Sequence, residues 1–281
     1  MIGPSALDEW YPVGMATVPG ASSRRSALLG EPIEVGVDPD GQPAVTRHDG
    51  ARLPVLTRYG HVWTSLGQPR PELFAIPEAD QPGRRLLDVG AVRVRCSPLR
   101  AVENFLDIAH FPFVHTDILG SEPHTEVLPY RVEIREDVDE VWATQVEFFQ
   151  PQASKSATGG ITTQYMYRVP APTCSILYKT CVPRPDEWDV IALFVQPLAE
   201  DRCDVWPWMA LFDDETPTTD LIHFQQTIFL QDRSILESQI PILLPLDPGL
   251  EIPTRADLSS VAYRRWLKRR GYSYGAQLVA Q

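Results

Sequence analysis

Cysteine is scarce in this chain. Four occur in 281 residues, Cys96, Cys174, Cys181 and Cys203, with no Cys-x-x-Cys pair and no histidine two positions after any of them. That spacing supports neither an iron–sulfur cluster nor a structural zinc site. Cys174 and Cys181 read as small core residues. A disulfide framework is not expected in a cytoplasmic chain of this length. Long apolar runs are also missing, and the N-terminus has no charged-then-apolar pattern, so a cytoplasmic protein with no membrane partner is expected. Positive charge is short as well. The net charge of −12 argues against nucleic acid or an anionic membrane as partner. The basic cluster Lys268, Arg269 and Arg270 reads as a solvated helix end at the negative pole of its dipole. There is no internal repeat and no low-complexity segment. What remains is ordinary globular composition, 43% hydrophobic and 22% charged, and enough length for a substantial core in one large domain or a large one plus a small one.

Two stretches differ in organisation. Residues 1–75 read as a small β unit. Ile33–Val37 and a run near Ala44–Thr46 flank the turn Pro39-Asp40-Gly41, and Leu53–Thr57 and His61–Leu66 flank Tyr59-Gly60. Four prolines make residues 68–84 an irregular linker. Residues 76–281 form the larger unit. It begins with the strand-like run Leu87–Cys96. Further β candidates are Val127–Arg135, Val141–Phe149, Thr162–Val169, Ser175–Val182, Val190–Val195 and Cys203–Phe212. Alternation in Tyr130–Arg135 and Val141–Phe149 suits an antiparallel sheet with one buried face. The Ser/Lys/Thr run before Gly159-Gly160 predicts a mobile loop. A helix is predicted from Pro217 to Gln239, with Thr216 as cap, Asp220 in the first turn and Pro241 as its stop. A last helix, Asp257–Arg269, is followed by Gly271. The fold class is therefore α+β, helices over an antiparallel sheet.

The chemistry concentrates in Glu103–His115. Asn104, Asp107 and His110 follow one another at i, i+3, which puts them on one face of a helix. His115 falls off that face unless the helix breaks. Pro112, whose ring opposes the carbonyl of Ile108, is expected to kink or restart it. Phe105, Leu106, Phe111 and Phe113 would bury the surround. Either histidine alone would be an ordinary hydrogen-bonded core residue. Together with two further polar groups in an apolar segment they need partners, and a divalent metal supplies several at once.

A third ligand is sought on the long helix. Leu221, Phe224, Ile228 and Ile235 mark its apolar stripe, and Asp232 falls in the gap. A carboxylate on a buried face is either ion-paired or metal-bound. Two histidines and one carboxylate make the facial triad of non-haem Fe(II) oxygenases. Zinc is the second choice of metal, weakened by the absence of a His-Glu-x-x-His base. Asp107 is placed to accept the other ring N–H of His110 and fix its tautomer. Glu103 reads as a surface or cap group. His48, His61, His124 and His223 have no partners at motif spacing. Gln231 and Gln239 lie within reach of the site, and Phe148, Phe149, Tyr165 and Tyr167 are candidate pocket walls.

Asn104-x-x-Asp107-x-x-His110-x4-His115 resembles the mononuclear iron motif of the Rieske-type non-haem iron oxygenases, in the spacing of their monooxygenase and demethylase branch. Ile228–Gln239, Arg255-Ala256-Asp257 and Tyr263–Leu267 resemble the same family's C-terminal part. Glu9–Val13 and Tyr59–Trp63 resemble the edges of its N-terminal Rieske domain, so the likeness spans nearly the whole chain. One departure is large. The family's Cys-x-His and Cys-x-x-His cluster ligands have no counterpart between those edges, where the chain runs through His48-Asp49-Gly50-Ala51-Arg52. Such a form is similar to the cluster-lacking subunits of bacterial methylxanthine demethylase systems.

The resemblance implies a helix-grip, START-like catalytic domain over residues 76–281 and a truncated Rieske unit over 1–75. It implies Fe(II) on His110, His115 and Asp232, with Asn104 and Asp107 in supporting catalytic roles and no [2Fe–2S] cluster in this chain. It implies dioxygen and a small aromatic or heterocyclic substrate, such as a methylxanthine, which is hydroxylated and N- or O-demethylated. The electrons would come from a Rieske-bearing reductase or oxygenase subunit, within a homo- or hetero-trimer or hexamer. Two other readings stay open at this point: a non-catalytic subunit of a mixed oxygenase complex, and a ring-cleaving dioxygenase that needs no partner.

Overall fold

In the computed structural model, residues 2–16, 23–155, 159–213, 215–247 and 249–278 are described. A one-turn helix, α1 (Pro4–Leu7), precedes six strands: β1 (Tyr11–Met15), β2 (Arg24–Leu28), β3 (Glu31–Val37), β4 (Pro43–Arg47), β5 (Val55–Arg58) and β6 (His61–Thr64). They form two three-stranded antiparallel sheets, ordered β1-β6-β5 and β2-β3-β4. The turns before β4 and β6 fall where their residues predict. Gly41 and Gly60 take φ of +78° and +74° there, values that glycine reaches without a Cβ clash.

The larger sheet holds eight antiparallel strands. β7 (Arg85–Asp88) and β8 (Val92–Val94) both pair with β14 (Arg202–Leu211). From there the order runs through β13 (Trp188–Ala199), β12 (Cys174–Thr180), β11 (Ile161–Ala171) and β10 (Glu140–Gln150) to β9 (Arg131–Arg135). The single run expected over Leu87–Cys96 is thus two strands, split where Gly90 turns with φ +84°. The loop expected ahead of Gly159 includes residues 156–158, which lie outside the described residues.

Helices α2 (Pro98–Leu106), α4 (Thr218–Leu236) and α5 (Leu258–Arg269) pack on one side of this sheet. On the other side, Trp10, Tyr59 and Trp63 of the N-terminal segment pack against Ile176, Phe194, Trp206 and Trp208. Both faces of β12, β13 and β14 are therefore buried, and their sequences run apolar without alternation. β11, nearer the sheet's edge, alternates cleanly, with Thr163, Tyr165, Tyr167 and Val169 facing inward. β10 alternates too, but a bulge between Ala143 and Val146 shifts its parity, so Val141 and Ala143 point inward before it and Val146, Phe148 and Gln150 after it.

Several local expectations need correction. α4 ends at Leu236 rather than Gln239, and Pro217 is its N-cap rather than its first residue. Its buried positions are Leu221, Gln225, Ile228, Phe229, Asp232 and Leu236. Ile235 is exposed, because the 3.6-residue period brings Leu236, not Ile235, onto the face that carries Asp232. Phe113 is exposed rather than buried. His61 is fully buried, with Nε2 2.8 Å from Asp88 Oδ2 and Nδ1 2.8 Å from the Tyr59 carbonyl. The basic cluster does close α5 with Lys268 and Arg269 exposed, and each member also has an acidic partner. Lys268 meets Asp247 at 2.8 Å, Arg269 meets Asp139 at 2.9 Å, and Arg270 binds Glu9.

Glu103 is buried, not a surface group. Its Oε1 accepts from Arg264 Nε at 2.6 Å, and its Oε2 from Arg264 Nη2 at 2.9 Å and Arg100 Nη1 at 3.2 Å. Both arginines also reach Glu251. This cluster bolts α2, which leads to the metal-binding candidates, onto α5. Removing one member of a buried charge cluster leaves the others uncompensated. Glu103→Ala should lower the unfolding free energy by about 3 kcal/mol, the low end for a broken buried pair because Glu251 remains. Urea denaturation checks this.

Candidate metal centre

Ser97 caps α2, its hydroxyl accepting from the backbone N–H of Leu99 at 3.1 Å. The helix ends at Leu106. Asp107 is already extended, with φ −83° and ψ 129°, and its Oδ1 accepts from the backbone N–H of Ala109 at 2.8 Å. The break thus comes at Asp107, ahead of the position that Pro112 predicts. Asp107 serves as an end-stop because its short carboxylate competes for nearby backbone N–H groups. The chain restarts as the one-turn helix α3 (Phe111–Val114), with Pro112 in the first turn, where a missing N–H leaves nothing unsatisfied. His110 and His115 flank that turn, and both rings swing toward α4.

Three side chains meet there. His110 Nε2 lies 3.1 Å from His115 Nε2 and 3.2 Å from Asp232 Oδ1, and His115 Nε2 lies 3.0 Å from the same oxygen. The outer edges of both rings are also engaged. Asp107 Oδ2 sits 3.0 Å from His110 Nδ1, and Gln231 Oε1 sits 2.8 Å from His115 Nδ1. Each of those oxygens is an acceptor, so each Nδ1 carries a proton and each ring turns its Nε2 inward. Two imidazole Nε2 atoms and a carboxylate oxygen thus converge, and among the described residues the two rings are the only polar groups placed against buried Asp232 Oδ1. Such a donor set is stable only around a cation. Ligand atoms about 2.1 Å from one ion lie about 3.0–3.4 Å apart, and the observed triangle of 3.0–3.2 Å falls in that span. Two imidazoles and one carboxylate are a donor set that suits a divalent transition metal.

Without a metal, a proton takes the cation's place. Burial works against charging His110, but the hydrogen bonds its ring donates to the Asp107 and Asp232 carboxylates outweigh it and hold the ring above its ordinary range, at about 9. Burial likewise opposes ionisation of Asp232, and the two imidazoles outweigh that and hold it at about 2.

Two cavities flank the centre. The inner one, about 70 Å³, lies between α4 and the sheet; Phe111, Leu177, Ile191, Phe224 and Phe229 supply apolar wall and His110, His115 and Asp232 stand at its edge. It is smaller than usual ligand sites. Tyr165 and Tyr167 line it, whereas Phe148 sits behind Phe111 and Phe149 packs on His124 outside it. The outer cavity, about 540 Å³, opens on the far side of His110 and Asp107 and is walled by Arg100, Glu103, Gln239, Glu251 and Arg264. Asn104 lines both cavities without a hydrogen bond to the three converging groups. Sequence reasoning missed Lys179 and Gln150 in the inner cavity, because the strand holding Lys179 is buried on both faces and shows no alternation.

An antiparallel sheet with helices on one face, two of whose helical segments present paired imidazoles and a carboxylate, describes the catalytic domain of a mononuclear non-haem oxygenase. Comparison with known proteins agrees. The family model described as the vanillate O-demethylase oxygenase C-terminal domain matches residues 94–271. The probable methylxanthine N7-demethylase NdmC of Pseudomonas sp. (strain TJI-51) is 43% identical over 270 residues, 96% of each chain. Pseudomonas putida CBB5 NdmA, solved with caffeine, matches with a TM-score of 0.78 at 17% identity over 94% of this chain and 90% of that one. Dicamba monooxygenase bound to 3,6-dichlorosalicylic acid matches with a TM-score of 0.73 at 14% identity over 94% and 97%. The two structures bear on the fold. The chain belongs to the Rieske-type non-haem iron oxygenases, as an enzyme of their monooxygenase and demethylase branch. Among the described residues, no helix is long and apolar enough to cross a membrane.

The protonation pattern sets a pH dependence for the metal-free protein. His110, raised from 6.5 to about 9, contributes stability that is complete below pH 6.5 and lost as pH rises through 9. Asp232, lowered from 3.8 to about 2, contributes above pH 3.8 and loses it as pH falls toward 2. The urea midpoint of the metal-free chain should therefore decline between pH 6.5 and 9, and Asp232→Asn should flatten that limb.

Proposed function

We propose that this chain is the terminal oxygenase component of an N-demethylating system. Fe(II) is held by His110, His115 and Asp232, and a small N-methylated aromatic heterocycle of the methylxanthine class occupies the inner cavity. The observation that carries this is the triangle of donor atoms 3.0–3.2 Å apart. The substrate class is supported by the name of the 43% identical relative.

When bound, the ferrous ion supplies open positions for dioxygen beside the substrate and the redox chemistry that hydroxylates a C–H bond. The chain's own residues do the rest. Asp107 and Gln231 hold the two Nδ1 protons, so the Nε2 lone pairs stay available. Phe111, Ile228 and Phe229 keep bulk water from the reacting methyl group. Hydroxylation of an N-methyl carbon gives a carbinolamine, which collapses to formaldehyde and the free ring nitrogen.

One C–H oxygenation with dioxygen consumes two electrons from outside. The sequence has no Cys-x-His pair to hold a cluster, so a separate Rieske-bearing protein donates them. The outer cavity is the docking position that fits. It opens beside Asp107, which is hydrogen-bonded to His110, and its walls include Ile240 and Ile252, 94% and 91% exposed. These two bare side chains at the rim offer apolar surface that a docked partner would cover.

Iron analysis and formaldehyde release from 7-methylxanthine, with and without a Rieske-bearing reductase, test the reading. His110→Ala and Asp232→Ala should each lose iron and turnover together; full activity in either refutes the ligand set. Reductase-independent turnover would refute the partner. Ile240→Asp combined with Ile252→Asp should cut reductase-dependent turnover about tenfold or more while iron content is unchanged.

A further inference from the structure

The inner cavity contains a cation that the metal chemistry does not use. Lys179 is only 7% exposed. It stands on the helix-facing side of β12, directly across from Tyr165 of β11. Its Nζ donates to the Ala153 carbonyl and, at 3.4 Å, to Gln150 Oε1. An ammonium has three N–H groups, and among the described residues no carboxylate forms an ion pair with this one. Asp189, its cross-strand neighbour on β13, is turned to the backbone N–H of Phe212 instead. Next to Lys179, the Tyr165 hydroxyl is buried, with only the Thr163 hydroxyl of its own strand close by and no well-aligned hydrogen bond among the described residues. Burial pushes the lysine down to about 8 and the tyrosine well up. An under-paired cation and an idle hydroxyl cost stability in an apolar cavity. They become favourable when an oxygen acceptor arrives between them.

We infer that Lys179 and Tyr165 form an oxygen-reading subsite. They hydrogen-bond a ring carbonyl of the substrate and thereby decide which methyl group faces His110, His115 and Asp232. This rests on the demethylase reading above. The metal donors come from the helical side of the cavity and these two groups from the sheet side, so a flat ring held at one edge presents the opposite edge to the metal. Leu177, Ile191 and Leu193 make the rest of that wall apolar, and of the sheet's polar groups in the cavity Lys179 alone is charged, so it is the strongest donor for a carbonyl there.

Equilibrium dialysis of the full-length, iron-loaded protein under argon, without reductant, tests it. The probes are 7-methylxanthine and 7-methylpurine, which share ring and methyl group but differ in the carbonyls. The wild type should prefer 7-methylxanthine. Lys179→Met should weaken 7-methylxanthine about tenfold or more and leave 7-methylpurine within about twofold. Tyr165→Phe should give a smaller loss in the same direction. If Lys179→Met does not fold, Lys179→Gln carries the same comparison with a neutral head group. Equal weakening of both probes would mean a merely structural lysine and overturn the subsite. Unchanged 7-methylxanthine binding in the variant would overturn the subsite and leave the demethylase reading standing. A wild type that binds neither probe would overturn both.

Discussion

Two acceptors on the outer edges of two imidazoles govern this centre. Asp107 and Gln231 bind the Nδ1 protons of His110 and His115, and that choice turns both Nε2 atoms inward. Much of the surrounding structure serves to hold those acceptors. Asp107 is in position because α2 stops beneath it and its second oxygen caps the chain that follows. Gln231 is in position because it precedes Asp232 on α4, so one helix supplies the carboxylate donor and the group that orients the opposite ring. A small rotation of α4 would move both at once.

The sheet separates two kinds of packing. Its outer face is sealed by aromatic rings from the N-terminal segment, with buried His61 paired to Asp88 across it. Its inner face carries the cavity, and there buried polar groups gather: Lys179, Gln150, Tyr165 and the converging donors. A protein core normally satisfies or excludes such groups. Their gathering around one cavity, with the Tyr165 hydroxyl and Asp232 Oδ1 among the buried groups left short of partners, suits a site that a ligand completes. The ion cluster around Glu103 lies just behind, clamping α2 to α5, so stability and chemistry share a helix without sharing residues.

The parts legible in the sequence are those set by short-range spacing. His110, His115 and Asp107 lie within nine residues, and the need to bring both rings together already implied a broken helix. Asp232 was legible because a carboxylate interrupting an apolar stripe requires a partner. The break position was not, since it depends on which backbone N–H the Asp107 carboxylate captures. Glu103 looked superficial because Arg264, its partner, is far away in sequence and meets it only through the packing of α5. The same holds for His61 with Asp88, and for the basic cluster at the end of α5. Lys179 was hidden by a strand without alternation. The inward identity of Phe148 rather than Phe149 was hidden by an irregular strand.

That irregularity in β10 has a wider meaning. Side chains on a strand alternate between two sides, so the extra length accommodated between Ala143 and Val146 acts as a parity switch for everything after it. Upstream of it, one set of residues faces the helices; downstream, the complementary set does. Because two residues of β10 oppose one of β11 there, a strand one residue shorter at this point would still turn Val146, Phe148 and Gln150 inward, so the bulge lets the length of β10 vary without exchanging the wall behind the metal candidates.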